Sequence, residues 1–286
     1  MIYDVIIVGA GPAGISASLY TQRANLKTLI IYQENSALDK AKNIQNYYGF
    51  EEGISGKELF EKGIKQAQNL GVKLVKDEIV KIEKKEEIFL VNSIKEDYKS
   101  KVVILATGNK KTRPNIKGIE EFEGKGISYC AICDGFFYKN KNVAVVGSGN
   151  YAILETMELI GVAKNITILT NGKELPEYRA ENVDLNSKEI KQIQGDKKVE
   201  EIEFKDNSKL KVDGIFIAEG VAGSTDFAQK LGAMTNKNNI LVNENMQTTI
   251  KGLYACGDCT GGLLQVSKAV YEGAKAGIEI INYLRK

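Results

Sequence analysis

Three stretches of the chain predict an α/β protein. Tyr3-Asp4-Val5-Ile6-Ile7-Val8 is a nearly continuous apolar run, followed at once by Gly9-Ala10-Gly11-Pro12-Ala13-Gly14 and a helix-patterned segment to Asn25. Asn142-Val143-Ala144-Val145-Val146, Gly147-Ser148-Gly149 and a helix-patterned segment from Tyr151 to Ile160 repeat that order. Gly252-Leu253-Tyr254-Ala255-Cys256-Gly257-Asp258 is a further strand running into a glycine turn, with a long helix expected from Leu264 to Leu284. A strand buried on both faces reads as an apolar run, and strand–glycine turn–helix is the order of a parallel sheet with covering helices. The expected architecture is two Rossmann-like, three-layer ββα domains, the second inserted in the first and degenerate. The first would comprise 1–112 and 244–286, the second 113–243.

Length and composition agree with that division. A chain of 286 residues suits two domains at about 150 residues each. A formal charge of +2 is too small to indicate nucleic acid. No apolar run approaches the roughly 20 residues of a membrane span. The apolar start is interrupted by Asp4 and no basic segment precedes it, so it reads as a strand and not a signal peptide. A cytoplasmic protein is expected. In that compartment the four cysteines, which form two Cys-x-x-Cys pairs, are expected to be redox-active or buried. The chain has no histidine, which removes the usual general base and the commonest metal ligand, and no metal site is expected. It has four arginines, Arg23, Arg113, Arg179 and Arg285, for any bidentate clamp.

The first glycine turn sits where a dinucleotide fingerprint requires it. Its glycines let backbone approach a pyrophosphate at a helix N-terminus, and a second strand follows at Lys27–Tyr32. Glu34, with Gln33 as a fallback, stands where an acid would hold a ribose hydroxyl. Asn46-Tyr47-Tyr48-Gly49 is a loop ahead of a helix from about Ser55 to Leu70, and residues 72–101 read as a β-meander. Val102–Leu105 is another buried strand, ending in the small-residue turn Ala106-Thr107-Gly108.

The chemistry is concentrated in Tyr129-Cys130-Ala131-Ile132-Cys133-Asp134-Gly135. Two cysteines at this spacing can close into a reversible disulfide. With no histidine in the chain, Asp134 is the natural proton shuttle, provided burial raises its pKa. Cys256 and Cys259 lie in a predicted buried turn and read as small buried hydrophobes, with a second redox pair or a metal half-site, which would lack nearby partners, as the alternatives. In the second glycine-turn unit, the residues after the strand at 166–169 are Thr170-Asn171-Gly172-Lys173. A pyridine-nucleotide domain places a ribose-binding acid or phosphate-binding arginines there. This one has neither, and the domain is expected to bind NADPH weakly.

Taken in order, Gly9-Ala10-Gly11-Pro12-Ala13-Gly14, Ala106-Thr107-Gly108, Cys130-Ala131-Ile132-Cys133-Asp134-Gly135 and Gly257-Asp258 resemble the low-molecular-weight thioredoxin reductases. The resemblance covers nearly the whole chain. It implies FAD in the first domain, contacted by Gly9, Gly11, Pro12, Ala13 and Gly14, by Gln33 or Glu34, and by Asn46, Thr107, Gly108, Gly257, Asp258, Gln265 and Val266. It also implies a homodimer, thioredoxin as substrate, Cys133 facing the flavin, Cys130 attacking thioredoxin, and Asp134 protonating the leaving thiolate. NADPH-dependent members carry arginines where this chain has Thr170-Asn171-Gly172. In that departure it is most similar to the ferredoxin-dependent flavin thioredoxin reductases of clostridia. Ferredoxin is therefore the expected donor, with lysines such as Lys62 and Lys65 steering its approach. Energetics permit it: from about −400 mV for a plant-type ferredoxin to about −270 mV for a thioredoxin dithiol is roughly 6 kcal/mol downhill for two electrons. The alternatives are an NADPH- or NADH-dependent reductase using Lys173 and Arg179, and a non-catalytic FAD redox sensor.

Overall fold

The computed structural model describes residues 1–286 except 34–36, 109–113, 176 and 237–238. The chain divides into two compact units, Met1–Lys110 with Gly223–Lys286, and Lys111–Ala222. Glu34 and Arg113 lie outside the described residues.

The first unit opens with β1 (Ile2–Val8), α1 (Pro12–Arg23), β2 (Thr28–Tyr32), α2 (Gly56–Asn69) and β3 (Lys73–Lys76). The expected meander follows as β4 (Ile79–Lys85), β5 (Ile88–Ser93) and β6 (Asp97–Leu105). Val5, Ile6, Ile7, Val102, Val103 and Ile104 are all fully buried, which is why these strands carry apolar side chains on both faces. α1 ends where Asn25 turns into the left-handed region (φ 61°), a conformation asparagine tolerates better than most residues. α2 starts on a Ser-x-x-Glu cap, Ser55 Oγ accepting the Glu58 N–H at 3.2 Å.

The second unit holds α3 (Ile119–Phe122), β7 (Ile127–Ser128), α4 (Ala131–Asp134), β8 (Asn142–Val146), α5 (Asn150–Leu159), β9 (Asn165–Leu169) and β10 (Val183–Asn186). It continues through β11 (Ile190–Gly195), β12 (Val199–Phe204), β13 (Lys209–Lys211) and β14 (Gly214–Ile217). Its parallel sheet runs β10-β9-β8-β14-β7, and β11-β12-β13 form a separate antiparallel sheet. One apolar cluster gathers Ala144, Val146, Ile215 and Ile217, another Val143, Val145 and Phe216, so alternate residues of β8 and β14 feed different cores. β9 passes to its parallel neighbour β10 with no helix among the described residues of the link, in line with the short spacing in the sequence.

The chain then returns to the first unit with α6 (Ser224–Lys230), the small pair β15 (Thr235–Asn236) and β16 (Asn239–Ile240), β17 (Leu253–Ala255) and α7 (Val266–Leu284). The expected return at 244 is too late. The unit boundary falls at Gly223, because α6 and β15–β16 belong with the first unit. β17 pairs in parallel with the C-terminal half of β6, Leu253 opposite Val103, while β5 pairs with its N-terminal half. The sheet order is β3-β2-β1-β6-β5-β4, with β17 on β6. α7 lies directly on α1: a Cβ at Gly273 would come 2.1 Å from Ala13 O, and Ser16 Oγ donates to Val270 O at 2.7 Å. Among the described residues no helix is long and apolar enough to cross a membrane.

Candidate active site

The first glycine turn is tight on one side and open on the other. Gly9 has φ 110°, and a Cβ there would lie 2.5 Å from Ala106 O, so only glycine lets the end of β1 pass the end of β6 this closely. A Cβ on Gly14 would meet Gly9 O at 2.0 Å. At Gly11, by contrast, nothing lies within 4 Å of where a Cβ would stand. Gly11 caps α1 without a side-chain hydrogen bond, with Pro12 in the first turn. Ile15 N–H bonds Gly11 O at 3.0 Å, and a helix start leaves the N–H groups before it, those of Ala13 and Gly14, for another acceptor. Open space in front of those donors suits a pyrophosphate.

Other predicted contacts gather within the same unit. Gln33 is exposed at the end of β2. Thr107 follows β6, and the space around a Cβ at Gly108 is empty. Asn46 donates to Gln265 Oε1 at 2.9 Å, joining the tyrosine loop to the residue that caps α7, with Val266 next. Asp258 is half-buried in the turn after β17, and burial holds its carboxyl above the usual range, Lys268 opposing and Glu272 adding to the shift. That turn is clamped from beneath. Lys268 Nζ donates to Gly257 O (2.8 Å), Thr260 Oγ1 (2.8 Å) and Gly261 O (2.6 Å), and pairs with Glu272 at 2.9 Å. Glu272 in turn accepts the Gly257 N–H at 2.8 Å. Cys256 and Cys259 are fully buried and unbridged, and burial pushes both thiols up, that of Cys259 to about 12. This is the setting of a small buried hydrophobe and not of a reactive thiolate.

In the second unit Cys130 and Cys133 form a disulfide, their Cα atoms 5.3 Å apart. β7 delivers Cys130 as the N-cap of α4, and its Sγ accepts the Cys133 N–H at 3.2 Å. The two sulfurs are not equivalent: Cys130 is 5% exposed, whereas Cys133 is exposed. Asp134 is half-buried, and Ser128 Oγ donates to its Oδ2 at 2.6 Å. Glu155, buried on α5, accepts the Ala131 N–H at 2.6 Å and ties the turn to the helix behind it. Ile132, Phe136 and Phe137 stand exposed within and just after the turn. A dithiol with a carboxyl beside it and an apolar flank is equipped for disulfide exchange with another protein.

The comparison with known sequences and structures decides the family. The model of the pyridine nucleotide-disulphide oxidoreductases matches residues 3–273. The chain belongs to that family. Within it, this chain is 34% identical to the thioredoxin reductase of Aquifex aeolicus (strain VF5), over 99% of this chain and 94% of that one. It superimposes on the atypical thioredoxin reductase TRi of Desulfovibrio vulgaris Hildenborough with a TM-score of 0.87 at 36% identity, covering 99% of this chain and 98% of that one. A ferredoxin-flavin thioredoxin reductase of Clostridium acetobutylicum gives a TM-score of 0.68 at 34% identity over 99% and 98% of the two chains. The resemblance to the thioredoxin reductases is borne out.

In this member of the oxidoreductase family, the loop after β9 is fastened to its own surroundings. Asn171 Oδ1 accepts the Ile190 N–H at 2.7 Å, and the Gly172 N–H bonds Ser187 O at 2.9 Å. Lys173 is ion-paired with Glu219, which follows β14. Arg179 is exposed farther along the chain. On α2, Lys62 is exposed and lies 3.4 Å from Glu58 one turn away. The sequence reading missed four supports: Ser128, Glu155, Ser224 and the Lys268–Glu272 pair. The pair had a readable signal, opposite charges four residues apart on a helix. Ser224 had none, since its partner Thr107 is 117 residues away.

Proposed function

We propose that the chain is an FAD-dependent reductase of the disulfide of thioredoxin. Gly9, Gly11, Pro12, Ala13 and Gly14, the Thr107–Gly108 turn, Asn46, Gln265, Val266, Gly257 and Asp258 would hold the cofactor, with Gln33 or Glu34 at its ribose. The open space at Gly11 in front of α1 is what makes that set fit. Bound there, FAD supplies a carrier that takes up electrons singly or in pairs and delivers two to the Cys130–Cys133 disulfide.

From the reduced dithiol the remaining steps belong to the chain's own residues. One cysteine thiolate attacks a sulfur of the thioredoxin disulfide, that S–S bond breaks, and the leaving thiolate takes the proton of Asp134. The other cysteine then gives its proton to Asp134 and attacks the mixed disulfide. Cys130–Cys133 closes again and the second thioredoxin sulfur leaves, taking that proton. The sequence resemblance assigns the first attack to Cys130. Exposure supports Cys133 instead, because the entering sulfur must reach a protein partner and Cys130 is buried. The Cys133 N–H meanwhile favours the Cys130 thiolate that forms when Cys130 gives up its proton for the second attack. The exposed Ile132, Phe136 and Phe137 supply the apolar surface for docking. In the Cys130→Ser variant, Cys133 should hold thioredoxin as a stable mixed disulfide; a stable adduct with Cys133→Ser alone would return the first attack to Cys130.

Reduced ferredoxin is the proposed electron donor. The observation that carries this is the run Thr170-Asn171-Gly172-Lys173 directly after β9, which has no acid or arginine where a pyridine-nucleotide domain places one and whose lysine is paired with Glu219. The similarity to the clostridial ferredoxin-flavin enzyme supports the same reading. Anaerobic titration of the flavin absorbance with NADPH, NADH and reduced ferredoxin, followed by thioredoxin disulfide, tests it. Ferredoxin should bleach the flavin and thioredoxin should restore it. Rapid bleaching by micromolar NADPH would overturn the donor. Bleaching without reoxidation by thioredoxin would favour a redox sensor. The functional unit proposed is a homodimer, which sedimentation of the holoenzyme would reveal.

A further inference from the structure

Ser128, the last residue of β7, is bonded to the redox turn at two points. It is 6% exposed. Its Oγ donates to Asp134 Oδ2 at 2.6 Å and accepts the Cys130 N–H at 3.1 Å. A hydroxyl has one proton and two lone pairs, so both bonds form at once and each polarises the other. The Cys130 carbonyl, at 3.4 Å, is the poorer taker of that single proton. One buried oxygen thus joins the carboxyl to the backbone of the first cysteine.

We propose that Ser128 is a positioning residue for the disulfide exchange, orienting Asp134 so that it delivers its proton from one defined oxygen. The reason lies in the donor count. With the hydroxyl proton directed at Oδ2, the carbonyl form of that oxygen, the better acceptor, is favoured, which biases a proton carried by Asp134 to Oδ1. Without Ser128 the carboxyl can turn about its side-chain torsions and present either oxygen, and the Cys130 N–H loses its acceptor. When the leaving thiolate takes the proton from Oδ1, the Ser128 bond becomes charge-assisted and strengthens as the carboxylate forms. The atoms exchanged remain those of the reaction above: Ser128 keeps its own proton throughout. The inference rests on Asp134 being the proton donor.

The test uses the holoenzyme, its dithiol reduced anaerobically with dithionite, mixed with oxidised thioredoxin and quenched with N-ethylmaleimide to give a single-turnover rate. Ser128→Ala should slow the maximal rate about tenfold with half-saturation by thioredoxin unchanged, a fraction of the effect of losing a general acid outright. Ser128→Thr, which keeps the hydroxyl, should restore most of the rate. Ser128→Val, of the same shape as threonine, should not, and it serves equally if the alanine variant folds poorly. On an Asp134→Asn background, Ser128→Ala should cost less than about twofold more, because the two act as one unit. Full additivity of the two substitutions overturns the inference, as does a slow Asp134→Asn beside a full-speed Ser128→Ala. A full-speed Asp134→Asn would instead overturn the reading of Asp134 as proton donor, and this inference with it.

Discussion

Thr107 and Ser224, 117 residues apart in the chain, hold each other through a reciprocal set of hydrogen bonds. The Thr107 N–H donates to Ser224 Oγ at 3.0 Å, the Ser224 N–H donates to Thr107 Oγ1 at 2.8 Å, and the two hydroxyl oxygens are 2.8 Å apart. The first residue of α6 therefore anchors the small-residue turn after β6. Ser224 is 1% exposed, so its removal leaves the Thr107 amide without an acceptor in a dry place. Ser224→Ala should cost about 1–3 kcal/mol of stability. FAD retention on gel filtration should fall in parallel, and thermal melts with and without added FAD would measure both.

The glycine turn offers two substitutions with opposite consequences. At Gly14 a methyl would meet Gly9 O at 2.0 Å, so Gly14→Ala should destabilise the cofactor-free protein by about 1–3 kcal/mol through overpacking. At Gly11 the methyl meets nothing within 4 Å, so Gly11→Ala should leave the cofactor-free melt nearly unchanged. It should weaken FAD by about tenfold or more, because the methyl stands where a pyrophosphate approaches. Equal loss of stability in the two variants would contradict the assignment of that space to the cofactor.

The Lys268–Glu272 pair is largely buried, its side chains 15% and 11% exposed, and Lys268 also serves three acceptors in the Gly257–Gly261 turn. Removing one partner strands the other. Lys268→Met should therefore cost about 3–5 kcal/mol, and the double variant with Glu272→Gln should be less destabilised than the sum of the two. Denaturant unfolding of the four proteins completes the cycle.

Asp258 links stability to pH. Burial, with Glu272 contributing, raises its folded pKa above 3.8, and Lys268 only partly offsets this. The folded state then binds the proton more tightly than the unfolded state. The contribution to stability is fully present below the unfolded value and is lost as pH rises through the raised folded value. In FAD-stripped protein, Asp258→Asn should remove this loss, so the melting temperature of the variant should gain on that of the parent from about pH 4 upward until the folded group has ionised. A constant difference between parent and variant across that range would refute the linkage.

Much of the fold was legible because its signals are local. Residues 5–8 and 143–146 are buried on both faces of their sheets, and a strand segment buried on both faces is apolar throughout. Gly9 and Gly14 are required by close approaches that no side chain would survive. The Cys130–Cys133 pair and Asp134 were legible for the same reason, since their chemistry depends on spacing within six residues. The return at Gly223 was not, because nothing local in residues 223–243 says which sheet they will join.

By itself, the sequence determined the two strand–turn–helix units, the dithiol with its carboxyl, and a run after β9, Thr170-Asn171-Gly172-Lys173, without an acid or an arginine. Each of these is a matter of residue type over a short span. Only tertiary structure decided that Ser224 would hold Thr107, that Glu155 would brace Ala131 and that Lys173 would be claimed by Glu219. It also decided that Cys133, and not Cys130, would be the exposed cysteine of the redox pair. Burial and long-range hydrogen bonds depend on which elements pack together, and that is a property of the folded chain as a whole.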